Sequence, residues 1–497
     1  MRVLEWFRLG SNLRFSLFVL LLYFSFSFSL LLAWPPPMID EGLFGSTAKT
    51  LLAEGHLGTS LVAGLEDYVY WQPPVYFFVL AGVISIGGYS LVALRIFSIL
   101  LGGCALLLVF ILGLRFAHRA AARMGMLLLA CDPKFVNSVK YARMDGLCVV
   151  LMLAALLVFV RPVFEDRRWN FLAAGFLCAL AVFTHPLGVI APLSLCAYIV
   201  TRTSIDWRER LRQVFLVLVP VIVGGILWGA YILQHTDSFV EQITYQLSRK
   251  DRPLVLTIAN FIRQYRHFPF VLLLPLLGLW FVVVKSVRQR GIATLVALFL
   301  GIAFLLVVPK FENPYHVYLA PIGAIASGML LTGLWERKGR LPRFLGTSMW
   351  SATMLNAAAV FGYLFIQFHA QLGFNSTYDR FCDEVANRIP ANAAVCAWGT
   401  PCVYWRLQED RHDIKYLDAA FLDSAKANAV IQRSNYAVLT RAFNVSEDEA
   451  GMKKQRESFK ELSRRNGFRL LPVALVGEKN SYEYSAEIFR VTKVGNQ

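Results

Sequence analysis

Two adjacent carboxylates, Asp40 and Glu41, follow an apolar segment that ends in the Trp-Pro-Pro-Pro sequence of residues 34–37. A third acid, Asp145, opens a later apolar segment two residues after Arg143. Carboxylates at a hydrocarbon boundary are costly to desolvate, so those found there usually have a role. The three acids are therefore candidate catalytic residues, as general bases or as holders of a cation. Solvated loop acids, and for Asp145 a carboxylate satisfying a helix dipole, are the structural alternatives.

Cations and polar or aromatic residues near the same boundary form a second group. They suggest an anionic partner, because Arg and Lys clamp phosphoryl oxygens through charge-assisted hydrogen bonds. The candidates for substrate binding are Arg95, Arg143, Tyr70, Trp71, Gln72, His185, Arg249, Lys250, Arg263, Arg266, Lys310 and His316. For the loop at residues 234–267 the alternative is solvated charge or contact with anionic lipid headgroups. The alternatives are a snorkelling side chain for Arg95 and a helix break for His185.

The composition places these residues in a membrane protein. The chain has 497 residues, of which 57% are hydrophobic and only 16% charged, and many of its apolar runs could cross a bilayer. Its formal charge of +16 falls mostly in short clusters between those runs. This distribution follows the positive-inside rule and argues against nucleic acid as a partner.

Six basic clusters between the apolar runs mark the cytoplasmic side. They are Arg2/Arg8/Arg14, Arg115/Arg119/Arg123, Arg161/Arg167/Arg168, Arg202/Arg208/Arg210/Arg212, Lys285/Arg288/Arg290 and Arg337/Lys338/Arg340/Arg343. The first apolar run, residues 15–33, lacks a small-residue cleavage site and is interpreted as a retained anchor with a cytoplasmic N-terminus. By parity we expect a polytopic α-helical membrane protein with about eleven transmembrane helices and an external C-terminus.

One apolar run, residues 74–87, does not fit this count. It is too short to span comfortably, and a crossing there would move every later basic cluster to the outside. We predict an interfacial helix on the outer face, with the first return span at residues 89–114. Residues 35–88 then form an external cap that carries Asp40 and Glu41.

The chain changes character near residue 371. A multi-span domain is predicted over residues 1–370, and a soluble extracytoplasmic α/β domain over 371–497, where short apolar segments alternate with charged helices. In the second domain, helices are predicted at 377–389 and 453–466, and strands at Ala394–Trp398 and 436–439.

The cysteines and acids indicate little about cofactors. Cys396 and Cys402 could close a short external disulfide, but their spacing does not establish one. No CxxC or HExxH signature is present. The three acids could hold a divalent metal, although no His or Cys set completes a site, so a metal is possible but not favoured.

Acids that could activate a nucleophile, and cations that could bind a phosphate, suggest group transfer from a lipid-phosphate donor outside the cytoplasm. The cytoplasmic segments are short basic loops without a nucleotide-binding motif. Nucleotide-sugar and ATP chemistry are therefore disfavoured.

Ordered motifs lie in the first third of the chain. Those before residue 99 are Ile39-Asp40-Glu41, Leu51-Leu52-Ala53-Glu54-Gly55, Trp71-Gln72-Pro73-Pro74-Val75-Tyr76, Gly87-Gly88 and Leu94-Arg95-Ile96-Phe97-Ser98. They resemble the first external loop of the C-type (GT-C) membrane glycosyltransferases. Tyr141-Ala142-Arg143-Met144-Asp145 resembles the second motif of that family, in which an Arg and an Asp open the fourth span. The resemblance is strongest to the bacterial branch with lipid A aminoarabinose transferases and polyprenyl-phosphate-mannose protein O-mannosyltransferases.

The resemblance implies inverting transfer of a sugar from a polyprenyl-phosphate donor to an extracytoplasmic lipid, glycan or protein. Asp40 would be the general base, Glu41 would support it or hold the acceptor, and Asp145 would orient the acceptor or a cation partner. Arg143, Lys310 and the loop cations would stabilise the leaving phosphate.

Two departures from the family pattern affect the donor. Trp71-Gln72 stands where aminoarabinose transferases usually have Glu-Lys, and His185 stands where they typically have Lys. Tyr70 and Trp71 could instead stack on a sugar.

Two alternative functions share the lipid-linked substrate: a transporter or flippase, and a polymerase-type subunit of surface polysaccharide assembly. Charges gathered at one face, away from mid-span, favour the enzyme over the transporter.

Overall fold

The structure is a computed structural model of the chain. It describes residues 10–31, 38–62, 64–160, 167–249, 253–267, 269–289, 291–337, 339–370, 375–398, 413–416, 424–443, 449–477 and 484–494. Most of these residues are helical, and the described strands all lie in the C-terminal part.

The helices before the C-terminal sheet begin with α1 Gly10–Ser29, α2 Ile39–Glu54, α3 Val75–Gly87, α4 Leu91–Phe116, α5 Arg119–Ala130, α6 Pro133–Lys140, α7 Met144–Val160 and α8 Arg167–Val182. They continue with α9 Ile190–Thr201, α10 Trp207–Ile232, α11 Thr236–Arg249, α12 Leu254–Gln264, α13 Pro269–Gln289, α14 Ile292–Val307, α15 Ala320–Glu336 and α16 Arg340–Ala370. Short 3₁₀ turns occupy Pro186–Val189, Leu233–His235, Val308–Lys310 and Asn313–Tyr318.

The long apolar helices confirm a polytopic helical membrane protein. Within the described residues, five helices are long and apolar enough to span a bilayer. A sixth span results if α6 and α7, which meet at an angle of 113°, are counted together. Four more apolar helices are shorter. The expected total of about eleven therefore stays a prediction.

The cap contains two helices. α2 begins at Ile39, so both acids lie in its first turn, and α3 covers the apolar run that was predicted not to span. The return helix α4 begins at Leu91, after Ser90 caps its N-terminus by accepting from Ala93 N–H. The cap is tied to the bundle where the N–H of Val75 donates to the carbonyl of Phe183 (2.9 Å).

Small residues allow two helices of the bundle to pack closely. A Cβ on Gly328 of α15 would lie 2.5 Å from the carbonyl oxygen of Ala121 on α5. Since real side chains do not approach that closely, glycine is required for this contact. The main apolar core, which includes Leu106, Met126 and Leu331, surrounds it.

The C-terminal part is an α/β unit. Its helices are α17 Asn375–Asn387, α18 Ser424–Arg433 and α19 Glu449–Arg465, and its strands are β1 Ala394–Trp398, β2 Asp413–Tyr416, β3 Tyr436–Phe443, β4 Phe468–Val476 and β5 Tyr484–Lys493. The strand order is β2-β1-β3-β5-β4, with β1 parallel to β2 and β3, and β5 antiparallel to β3 and β4.

The sheet unit packs on the cap. One buried apolar cluster contains Leu43 and Phe77 of the cap together with Phe381 and Val385 of α17. The C-terminal unit therefore lies on the same face of the bundle as the acids. That this face lies outside the cytoplasm stays a prediction. Cys396 is buried in β1, whereas Cys402 lies outside the described residues, so their pairing also stays a prediction.

Candidate active site

Glu41 is the buried centre of the acid cluster. Its carboxylate accepts from Arg95 Nε (2.9 Å) and Nη2 (2.8 Å), and from the backbone N–H groups of Met38 (2.8 Å) and Ala142 (2.9 Å). The side chains of both Glu41 and Arg95 have 0% exposure. Four donors satisfy the carboxylate, so Glu41 can organise the site but cannot reach a substrate.

Asp40, unlike Glu41, is partly exposed. Its side chain is 24% exposed, and its carboxylate pairs with Nη1 of Arg143. Nε of Arg143 donates to Oδ2 of Asp145 at 2.9 Å. One planar guanidinium therefore joins two carboxylates, of which only Asp40 has accessible surface.

Asp145 lies against three groups, two of them from distant parts of the chain. Besides Arg143, Tyr318 donates to Oδ1 at 3.0 Å, and Nε2 of His185 lies 4.0 Å from the same oxygen. Nδ1 of His185 accepts from the N–H of Leu187 (3.1 Å), which caps the 3₁₀ turn after α8. The His185 ring stacks on Tyr318 with centroids 5.4 Å apart. His185 thus serves both as the expected turn residue and as a neighbour of Asp145.

Arg95 was expected to contact substrate, and its burial corrects that expectation. Nη1 donates to the carbonyl of Leu31 at 2.9 Å, while the rest of the guanidinium is bound by Glu41. Lys140, also fully buried, donates to the neighbouring carbonyl of Leu30 (2.9 Å). Arg95 and Lys140 thus donate hydrogen bonds to two carbonyl groups at the C-terminal end of α1, where helix carbonyls lack partners within the helix. Both residues position the start of the cap.

Tyr70 and Trp71 are also buried, which disfavours stacking on a sugar. Tyr70 lies among Tyr68, Trp228, Tyr231 and Phe239, and burial raises the pKa of its hydroxyl to about 12. Their backbone is fixed by Gln242 of α11, whose Oε1 accepts from the N–H groups of Tyr70 (2.7 Å) and Trp71 (3.3 Å). Nε2 of Gln242 donates to the carbonyl of Tyr68 (3.0 Å). A single amide thus connects the loop at residues 234–267 to the cap.

Gln72 occupies the position where the resembling enzymes have a lysine. Its Oε1 is buried and has no hydrogen-bond partner among the described residues. A neutral amide can accept a hydroxyl hydrogen but cannot neutralise a phosphate. Any phosphate bound here must obtain its charge partner elsewhere.

The loop cations divide into described and undescribed groups. Arg263, Arg266 and Lys310 are exposed, and α12, which carries Arg263, packs on the 3₁₀ turn that ends at Lys310. For Arg249 only the backbone is described, at the end of α11, and Lys250 lies outside the described residues. Three accessible cations thus lie on adjoining elements.

His316 was expected to contact substrate, and the structure places it away from solvent. It is 2% exposed, and both ring nitrogens are hydrogen-bonded, Nε2 to Oδ2 of Asp132 and Nδ1 to Oη of Tyr265, each at 2.6 Å. Its neighbour Tyr318 reaches Asp145 instead.

Sequence reasoning did not identify five residues of this site: Asp132, Lys140, Gln242, Tyr265 and Tyr318. For Tyr318 a signal existed, because Tyr315 and Tyr318 follow Pro314 with the three-residue spacing of a 3₁₀ face. Asp132 precedes a proline, which is the pattern of a helix N-cap, and it does cap α6. Its second partner, His316, is 184 residues away and had no local signal.

The described part of the chain contains no group of three or more His, Cys, Asp or Glu side chains arranged to hold a metal ion. Within the acid cluster, Glu41 is engaged by Arg95, and Arg143 lies between Asp40 and Asp145. A cation at these acids would have to compete with a guanidinium.

The arrangement of the bent helices, the cap and the C-terminal unit is similar to the fold of two solved membrane glycosyltransferases. The chain is similar to ArnT from Cupriavidus metallidurans bound to undecaprenyl phosphate, with 12% identity over 96% of this chain and 97% of that one, and a TM-score of 0.60. It is also similar to the oligosaccharyltransferase AglB from Archaeoglobus fulgidus in complex with an inhibitory peptide and a dolichol-phosphate, with 13% identity, coverage of 87% and 70%, and a TM-score of 0.58.

By sequence, the family model described as dolichyl-phosphate-mannose-protein mannosyltransferase matches residues 71–228. No curated protein matches the chain. The expected resemblance to this class of glycosyltransferases is confirmed.

Proposed function

We propose that this protein is an inverting glycosyltransferase that moves a sugar from a polyprenyl-phosphate donor to an extracytoplasmic acceptor. The observation that carries the proposal is the accessibility of Asp40 beside its buried partners. Its carboxylate lies in the first turn of α2, where the helix dipole is favourable to negative charge, and it pairs with Arg143.

The reaction forms one bond and breaks one. The acceptor hydroxyl oxygen bonds to the anomeric carbon while the bond from that carbon to the donor phosphate oxygen breaks. Asp40 takes the hydroxyl proton, and polyprenyl phosphate leaves with the electron pair of the broken bond. Because attack comes from the side opposite the phosphate, configuration at the anomeric carbon inverts. General-base assistance of this kind contributes about 10²–10⁴ in rate.

Asp145 and Glu41 act through other residues in this proposal. Asp145 holds Arg143 in the orientation that serves Asp40, and Glu41 holds the backbone beside Arg143. Both are therefore positioning residues, whereas Asp40 touches the acceptor.

The departing phosphate needs positive charge, which we assign to Arg263, Arg266 and Lys310. They are accessible, while the family's usual lysine is replaced by Gln72. We propose that the Gln72 amide oxygen accepts a hydrogen bond from a sugar hydroxyl, which would distinguish this donor from that of an aminoarabinose transferase.

The polyprenyl chain requires an apolar path next to these cations. Along α10 and α13, large apolar side chains are exposed, among them Phe215, Ile226, Leu227 and Trp280. Exposed surface of this kind is compatible with lipid tails. The structural relatives hold undecaprenyl phosphate and a dolichol-phosphate, which supports a donor of the same class.

The remaining assignments follow from the topology. We propose an integral protein of the bacterial plasma membrane with its cap and C-terminal domain outside the cytoplasm. The acceptor is a lipid, glycan or protein of the cell envelope, and a divalent metal is not favoured.

The test uses the purified full chain in lipid nanodiscs with a panel of radiolabelled polyprenyl-phosphate sugars. Asp40→Asn should keep the wild-type thermal midpoint and reduce transfer by about 100-fold or more. Asp67→Asn, which removes an exposed acid from the same cap, is the matched control and should transfer normally.

The destination of the label separates the alternatives. Label in lipid, protein or glycan, with release of polyprenyl phosphate, supports transfer and identifies the acceptor. Translocation of the intact lipid-linked sugar across a proteoliposome membrane, without release of the lipid phosphate, would replace the enzyme with a flippase. Normal transfer by Asp40→Asn would exclude Asp40 as the base.

A further inference from the structure

A buried hydrogen-bonded chain connects three helical segments close to the acid cluster. Asp132 caps α6 through Oδ1, which accepts from the N–H groups of Lys134 and Phe135, and its Oδ2 lies 2.6 Å from Nε2 of His316. Nδ1 of His316 lies 2.6 Å from Oη of Tyr265, the C-cap residue directly after α12. We call the set Asp132, His316 and Tyr265 the relay.

The chemistry of the groups fixes the direction of one hydrogen bond. An ionised carboxylate only accepts, so Nε2 of His316 donates to Asp132. The second bond joins Nδ1 of His316 to the Tyr265 hydroxyl, which can both donate and accept. With both nitrogens engaged, the ring of His316 is held at both edges. It is 2% exposed, so no substrate can reach it.

The 3₁₀ turn Asn313–Tyr318 presents its residues in two directions. Residues three apart eclipse in this helix type, which places Tyr315 and Tyr318 on one side, where both rings contact His185. His316, one step along, points instead to Asp132. One side of the turn therefore touches the acid cluster while the other is held by the relay.

We propose that the relay is a positioning device for catalysis: by holding His316 at both ring nitrogens, it keeps the Tyr318 hydroxyl on Oδ1 of Asp145 and so keeps Arg143 aligned with Asp40. The inference rests on the proposed function for its effect on rate. The relay also joins the end of α12, where the phosphate-binding candidate Arg263 lies in the helix and Arg266 just after it, to the segment that bears Tyr318.

The decisive experiment is a double-mutant cycle between Tyr265→Phe and Tyr318→Phe. Tyr265→Phe removes only the hydroxyl, since its ring contacts with Phe261 and Phe311 remain. Tyr23→Phe is the matched control, because it also removes one buried tyrosine hydrogen bond, to the carbonyl of Ile99 (3.1 Å), where α1 packs on α4. Rates and thermal midpoints are measured for the three single variants and both double variants.

Tyr265→Phe should lower kcat by about 3- to 10-fold with little change in the donor KM, since a positioning group acts on the transition-state geometry. When Tyr265→Phe is added to Tyr318→Phe, kcat should fall by less than about 2-fold further, because the hydrogen bond from Tyr318 to Asp145 is already absent. By contrast, the fold-changes in kcat caused by Tyr23→Phe and Tyr318→Phe should simply multiply in their double variant, as expected for two independent sites.

Independent effects of Tyr265→Phe and Tyr318→Phe on kcat, equal to those of the Tyr23→Phe control pair, would overturn the inference. The thermal midpoints provide a second cycle that requires no activity: they should be non-additive for Tyr265 with Tyr318 and additive for Tyr23 with Tyr318. If the enzyme is active but Tyr265 and Tyr318 are not coupled, the relay is wrong and the proposed function stands. If the midpoints are coupled but the protein transfers no sugar, the proposed function is wrong and the structural link between Tyr265 and Tyr318 stands.

Discussion

The backbone N–H of Ala142 donates a hydrogen bond of 2.9 Å to Oε1 of Glu41, across 101 residues of sequence. Ala142 lies in the bend between α6 and α7, immediately before Arg143. The bond therefore fixes the bend that aims the Arg143 guanidinium at Asp40. A fully buried acid thus determines the position of the cation that pairs with the accessible one.

Arg143→Lys should impair the enzyme although it conserves the charge. A guanidinium can bridge Asp40 and Asp145 at the same time, whereas an ammonium on a flexible stem cannot reproduce that planar fork. We expect kcat to fall by about 10- to 100-fold, corresponding to the loss of one charge-assisted hydrogen bond. Steady-state kinetics with a fixed donor will measure it, and an unchanged kcat would show that bridging is unnecessary.

Glu41→Gln should destabilise the protein through Arg95. The substitution leaves a buried guanidinium without its counter-charge, and breaking a buried pair in this way costs about 3–5 kcal/mol. The loss should appear as a lower thermal midpoint in detergent. The double variant Glu41→Gln/Arg95→Met removes both charges and should recover much of that loss. A double variant less stable than Glu41→Gln would contradict the pair as the cause.

The sequence predicted much of this arrangement because its main signals are local. Apolar length and basic clusters indicated the helices, and the short run after Pro74 was predicted not to span; it forms α3. The acids Asp40 and Asp145 were expected to face one space because parity placed both at outer helix ends. Both now share Arg143.

The remaining features depend on pairings between distant segments. A sequence shows that His316 is polar but not that Asp132 and Tyr265 occupy both of its nitrogens. Arg95 near the end of an apolar helix predicts a cation at the surface as readily as one buried against Glu41. The carboxylate with which each cation pairs is determined by the packing of the folded helices.

Removing the loop cations should weaken donor binding more than it slows chemistry. Arg263→Gln/Arg266→Gln eliminates two exposed charges that we assign to the phosphate. The donor KM should rise by about 10-fold, and the difference from wild type should shrink as salt increases, because exposed charges are screened. The matched control is Arg212→Gln, an exposed arginine on α10 in a predicted cytoplasmic cluster, which should leave the donor KM unchanged. An identical rise in the control would identify a nonspecific charge effect.

Gln242→Ala should loosen the attachment of the cap to α11. The amide of Gln242 makes three hydrogen bonds to the backbone of residues Tyr68, Tyr70 and Trp71, so its removal leaves buried peptide groups unpaired. We expect a loss of about 1–3 kcal/mol in the stability of the cap. Limited proteolysis and hydrogen exchange over the cap will measure this local opening.

Gln234→Ala, at an exposed position just before α11, is the control and should leave protection of the cap from exchange unchanged. Gln242→Glu separates the two halves of the contact, because it keeps an acceptor for the N–H groups but loses the donor to Tyr68. Protection intermediate between wild type and Gln242→Ala is therefore expected for Gln242→Glu, and full protection in Gln242→Ala would show that the cap is held by its apolar contacts alone.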